Sequence, residues 1–97
     1  MQVSDIKTLL DARQYEIEQR RKILIESYGY TSEPRTGRLV KPSQEFAGGE
    51  IYTYPPFTHS RVQDKNGQDR WERRLIWKRR ILHSRMVWGT EVIEIKR

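Results

Sequence analysis

The dipeptide Asn66-Gly67 stands between two runs of β-favouring residues, 58–63 and 71–77. Such a pair suits the centre of a two-residue type I′ hairpin turn, because both positions need positive φ and Asn and Gly tolerate it. The turn sets Val62 opposite Trp71, Arg61 opposite Glu72 and Thr58 opposite Leu75. Two apolar or β-branched pairs and one opposite-charge pair support that register, while Asp64 opposite Asp69 opposes it. Residues 58–77 are therefore expected to form an antiparallel pair, and the rest of the fold must accommodate it.

Upstream the pattern changes to that of a helix. Residues 4–28 contain no Gly or Pro, and Val3, Leu10, Ile17 and Leu24 recur every seven residues. Ser4 suits an N-cap, with Asp5 in the first turn and Gly29 at the left-handed position past the end. Glu16 with Arg20 and Glu18 with Lys22 form i,i+4 pairs in the favourable order. The apolar stripe is narrow, because Arg13, Arg20 and Arg21 interrupt it. A helix over about 4–28 is predicted to pack one edge on a sheet. The same seam, through Val3, Leu10, Ile17 and Leu24, also suits contact with a helix of another subunit.

Residues 31–49 include Pro34, Gly37, Pro42, Gly48 and Gly49. They read as a long loop with a short extended piece at Arg38-Leu39-Val40. Glu50-Ile51-Tyr52-Thr53-Tyr54 reads as a strand ending at Pro55-Pro56. Gly89-Thr90 offers a type II′ turn that pairs Val87 with Val92, Met86 with Ile93 and Arg85 with Glu94, making 91–96 the last strand. The two turns leave residues 70–88 as one strand of about three times the usual length, with a sharp bend at His83-Ser84 as one resolution. Both of its faces mix Arg with large apolar groups, so the pattern assigns no core side. The expected fold is α+β, one domain spanning 1–97. One N-terminal helix packs on a three- or four-stranded antiparallel sheet; the loop 31–49 lies between the helix and a β-rich part, 50–97.

Only 35% of the 97 residues are hydrophobic and 33% are charged, so the core must be small and lean on its aromatics. There is no cysteine, which excludes disulfides and Cys-based zinc sites. No Gly-rich phosphate loop and no metal-ligand spacing is present, so no cofactor or metal is expected. No apolar run approaches the roughly 20 residues that span a bilayer. No signal peptide is read at Met1, and a cytoplasmic protein without membrane contact is the default expectation.

The net charge of +6 lies entirely in residues 61–97, which hold eleven basic against five acidic side chains. Its densest part interleaves Arg and Lys with Trp71 and Trp77. Arg73, Arg74, Lys78, Arg79, Arg80 and Arg85 offer charge, and the two tryptophans offer flat stacking surface, a combination suited to an anionic partner. The bland alternative is a solvated face whose arginine stems cover the tryptophans. The first functional expectation is a non-catalytic protein that binds nucleic acid, RNA or DNA, through these residues. The second is an accessory subunit or inhibitor that binds another protein, through an acidic surface, in a larger assembly such as a viral one. The third rests on Arg74-Leu75-Ile76-Trp77, which is loosely similar to the Arg-Leu-aromatic strand of RelE-type bacterial toxin ribonucleases. Those proteins are also small, basic and free of complex cofactors. They begin with a strand where this chain begins with a helix, and usually carry a second helix where residues 31–49 read as loop.

Overall fold

The computed structural model describes residues 3–96, with side chains for 8–79, 83–85 and 87–95. The Ser4 and Asp5 side chains of the expected N-cap, and that of Val3, lie outside the described residues. Helix α1 spans Val3–Tyr28. Gly29 ends it at φ +78, and the Tyr30 N–H turns back to the Leu24 carbonyl at 3.1 Å. Glu16 pairs with Arg20 at 3.9 Å, whereas Glu18 pairs with Arg21 at 3.3 Å, one residue short of the expected Lys22.

Six strands follow: β1 (Thr31–Ser32), β2 (Leu39–Pro42), β3 (Glu50–Thr53), β4 (His59–Gln63), β5 (Asp69–Leu82) and β6 (Arg85–Lys96). They form one antiparallel meander in chain order. The α+β class with one helix on an antiparallel sheet is as expected, but the sheet has six strands rather than three or four. The segment expected as loop supplies two of the extra strands. The Glu33 carboxylate accepts from Arg38 Nε at 3.1 Å and from its NH2 at 2.5 Å, which closes the β1–β2 turn. Those hydrogen bonds hold the Glu33 carboxyl below its usual range.

The β4–β5 hairpin pairs Val62 with Trp71 and Arg61 with Glu72, as the sequence implies. Its turn is of another kind. Gly67 N–H donates to the Asp64 carbonyl at 2.9 Å, and Gly67 sits at φ +81. Asp64 Oδ1 accepts from the backbone of Asn66 at 2.9 Å and of Gln68 at 3.0 Å. The loop is therefore one residue longer than a type I′ turn. The register shift between Val62 and Gln63, which leaves Arg70 without an opposite residue, restores the predicted pairs. Asp64 and Asp69 no longer oppose each other, because Asp69 faces Gln63.

The second turn falls at His83-Ser84, at φ +49 and +64, not at Gly89-Thr90. Strand β6 runs straight through Gly89, and Val87 pairs with Arg80 while Val92 pairs with Leu75. Twelve continuous pairs between β5 and β6 outweigh the local turn preference of Gly89. Because β4 leaves the ladder at Arg74, the rest of β5 pairs with β6 alone. The far part of the sheet is thus a two-stranded ribbon.

The pairing also assigns the faces. Trp71, Arg73, Leu75, Trp77 and Arg79 point toward the helix. Leu75 is buried with Leu24, Tyr30, Leu39, Ile51, Phe57 and Val62, and Trp71, Trp77 and Ile17 pack against this cluster. Each fully buried apolar side chain contributes about 1.5–3 kcal/mol. Phe57 holds φ +64, and its ring is buried among these groups. Among the described residues the helix seam enters the core at its C-terminal half: Leu24 is buried, Ile17 is half-buried, and Leu10 is 58% exposed.

Candidate functional site

The face of the sheet opposite the helix carries no covering element among the described residues. It presents Tyr52 from β3 and Tyr54 just past its end, His59 and Arg61 from β4, and Glu72 and Arg74 from β5. Register sets His59 beside Arg74 and Arg61 beside Glu72. Arg61 bridges two carboxylates, Asp69 at 2.6 Å and Glu72 at 2.8 Å. Burial pushes the Asp69 carboxyl up, but hydrogen bonds from Arg61 and Gln63 outweigh it and hold Asp69 below its usual range. Tyr54, half exposed, meets Tyr52 edge-on with centroids 5.8 Å apart. Thr58 Oγ1 lies 3.1 Å from His59 Nδ1 and fixes the ring. Tyr52, Tyr54, Thr58, His59, Arg61 and Glu72 border an open cleft of about 260 Å³.

The ribbon continues this face. Residues 73–90 contain six Lys or Arg and no Asp or Glu. Their carboxylate partners must come from elsewhere in the chain, and only some of them find one. Arg73 turns to the helix side, where its side chain is 16% exposed and pairs with Glu45 and with Glu94 at 3.4 Å. Arg79 is also on that side but 58% exposed, and it reaches Glu16 of α1 at 3.0 Å. Lys78 pairs with Glu91 across the ribbon at 2.9 Å. Arg74 and Arg85 are exposed on the open face, and neither has a carboxylate within ion-pair distance among the described residues. The Arg80 side chain lies outside the described residues.

Both expected stacking tryptophans are half-buried on the helix side. Trp77 Nε1 donates to the Phe57 carbonyl at 2.8 Å, and Arg20 lies 5.8 Å from its ring centroid. Trp71 meets Phe46 edge-on at 6.4 Å, with Arg73 against its ring. Arginine against tryptophan is here a packing device within the fold. Of the eight expected residues, Arg74, Lys78 and Arg85 share the open face, Trp71, Arg73, Trp77 and Arg79 lie on the helix side, and the Arg80 side chain lies outside the described residues. Tyr54, just past β3, is a half-exposed aromatic on the same face, on the far side of β4 from Arg74. The alternation Ile51-Tyr52-Thr53-Tyr54, with Ile51 and Thr53 inward, is the signal that would have found it.

No protein-family model, curated protein or solved structure matches the chain.

Proposed function

We propose that the protein is a non-catalytic nucleic-acid-binding protein that docks the open face of the β5–β6 ribbon on a phosphate backbone. Arg74 and Arg85 make the primary phosphate contacts. Lys78, on the same face, adds to them by exchanging Glu91 for phosphate. Tyr54 offers a stacking surface at the base of the ribbon. The observation that carries this reading is the absence of any acidic residue from 73–90, with Arg74 and Arg85 left exposed and unneutralised among the described residues.

Shape supports it as well. Residues 76–82 extend about 20 Å at roughly 3.3 Å per residue. A two-stranded ribbon is narrow enough for a B-form major groove about 12 Å wide. Three cations predict a log–log slope of affinity against salt near −2 to −3. The test is fluorescence anisotropy with labelled 20-mer duplex and single-stranded DNA and RNA across a salt series. Binding at low salt with that slope supports the proposal. No binding to any of the four at low salt, or binding indifferent to salt, refutes it.

The unpaired outer edge of β6 favours the accessory-subunit reading as the alternative. This strand is 12 residues long, and Val92, Ile93 and Ile95 are exposed along it. A long edge with apolar side chains is open to strand addition by another chain. Sedimentation of the purified protein with a candidate partner separates the two readings: a complex that forms equally with the Arg74→Glu/Arg85→Glu variant favours the edge.

A further inference from the structure

The helix-covered face contains a polar break in its core. Ser60 of β4, Arg73 of β5 and Thr90 of β6 border a small, partly open cavity, together with Tyr30 and Lys41. Ser60 is 1% exposed, and its Oγ has no hydrogen-bond partner of sound geometry among the described residues. The same holds for Thr90 Oγ1 and Arg73 Nε. Tyr30 brings a buried phenol into weak hydrogen-bonding reach of Ser60, so the serine hydroxyl is only partly satisfied. Two orphaned polar atoms and one weakly satisfied hydroxyl around one cavity are unusual, because each carries a desolvation cost that is not compensated in full.

What converges there are donors. Arg73 commits an NH2 group to Glu45 and Glu94 and leaves Nε–H free. Lys41 Nζ donates one hydrogen to the Tyr28 carbonyl at 3.1 Å, sits 4.7 Å from the Tyr30 ring centroid, and has two hydrogens left. The two hydroxyls donate as readily as they accept. Burial and the nearby Arg73 charge both push the Lys41 ammonium pKa down. Glu45 and Glu94 already answer the Arg73 charge through its NH2 group, so an anion in the cavity would gain chiefly from the Lys41 ammonium and the free Arg73 Nε–H.

The cavity measures about 50 Å³. One water needs about 10–15 Å³, so there is room for a group of several heavy atoms. A groove of about 410 Å³ shares Tyr28, Lys41 and Arg73 with it and opens past Ser43 and Gln44. Glu45, on the same groove, already places a carboxylate on Arg73. The chain itself therefore demonstrates that this guanidinium accepts an oxyanion from that side.

We propose that this cavity is a binding site for a small oxyanion, held by Arg73, Lys41, Ser60 and Thr90 and reached through the adjoining groove. The site lies on the opposite face from Arg74 and Arg85 and does not depend on the nucleic-acid reading. The test titrates the full chain with inorganic phosphate, and separately with acetate, against chloride at constant ionic strength. Backbone amide shifts and the thermal midpoint are followed. The expected result is a saturable response at Ser60, Arg73 and Thr90 with a raised midpoint. Saturation by phosphate alone assigns a tetrahedral anion, and saturation by acetate alone assigns a carboxylate. Ser60→Ala and Thr90→Val each weaken the affinity about tenfold, as expected for one lost hydrogen bond. In chloride both variants are at least as stable as the parent, because they remove hydroxyls that are not fully paired. Lys41→Gln gives the same comparison if either variant fails to fold, and Arg85→Ala leaves the response unchanged. A response that never saturates, that is equal in chloride, or that survives Ser60→Ala and Thr90→Val overturns the proposal. Water alone filling the cavity in a structure grown at saturating phosphate and acetate overturns it too.

Discussion

The two ends of strand β5 have nearly the same composition and different roles. Residues 71–75 lie between β4 and β6, and the large groups on their helix-facing side, Trp71, Arg73 and Leu75, each have a partner from elsewhere in the fold. Trp71 packs on Phe46, Leu75 joins the buried cluster, and Arg73 is held by Glu45 and Glu94. Residues 76–82 pair with β6 alone. Their charge is answered only where a carboxylate happens to reach, as Glu91 does for Lys78 and Glu16 for Arg79. Arginine beside tryptophan is therefore no fixed sign of a binding surface. Neighbouring strands and acids turn it into packing, and without them it remains an outward charge.

Neighbouring residues at the junction test this contrast most sharply. Leu75→Ala should cost about 3 kcal/mol, since it empties a buried site, whereas Ile76→Ala on the open face should cost under about 1 kcal/mol. Urea denaturation measures both, and equal costs would show that the ribbon is as well packed as the core. The adjacent arginines give the next comparison. Arg73→Ala strands two carboxylates and loses packing on Trp71, for about 2 kcal/mol, a value reduced from that of a fully buried pair because Glu94 is solvated. Arg74→Ala should stay within about 0.5 kcal/mol.

The ribbon tip provides a change in the other direction. His83 and Ser84 occupy the left-handed region that Asn-Gly occupies at lower cost. His83→Asn/Ser84→Gly should stabilise the ribbon by about 1 kcal/mol, read from amide exchange in residues 78–90. The smallest effect concerns acid. Backbone N–H bonds from Gln68 and Asn66, with Arg70, hold the Asp64 carboxyl below its ordinary value of 3.8, and Asp69 is also depressed. A depressed carboxyl adds stability above its unfolded value and loses it as pH falls through the folded one. The unfolding midpoint should be insensitive to these groups above about pH 5 and decline below about pH 4. Asp64→Ala should make that decline shallower.

Particular residues explain how much of this was legible in the sequence. The β4–β5 register was readable because Arg61–Glu72 and Val62–Trp71 are complementary across any short turn. The turn type was not, because it depends on the Asp64 side chain accepting two backbone N–H groups and on a bulge at Arg70. Strands β1 and β2 were hidden by their length and by Lys41 and Pro42, which read as loop residues. Gly89 drew the second turn away from His83-Ser84, because local preference is visible in sequence and twelve ladder pairs are not. The charge asymmetry was visible from the start. Which arginines the fold would neutralise depended on Glu16, Glu45 and Glu94, all distant in sequence from at least one partner. The His59–Arg74 pair on the open face appeared only when β4 and β5 were in register.

The central claim is that the outward cations of the ribbon, and not those beneath the helix, meet a phosphate backbone. The most direct measurement is the salt dependence of nucleic-acid affinity for the parent protein, for Arg74→Ala/Arg85→Ala, and for Arg73→Lys. The account predicts that the first pair of substitutions makes the log–log slope shallower by about 2, while Arg73→Lys leaves it unchanged. A slope that survives the loss of Arg74 and Arg85, or falls with Arg73→Lys, would contradict it.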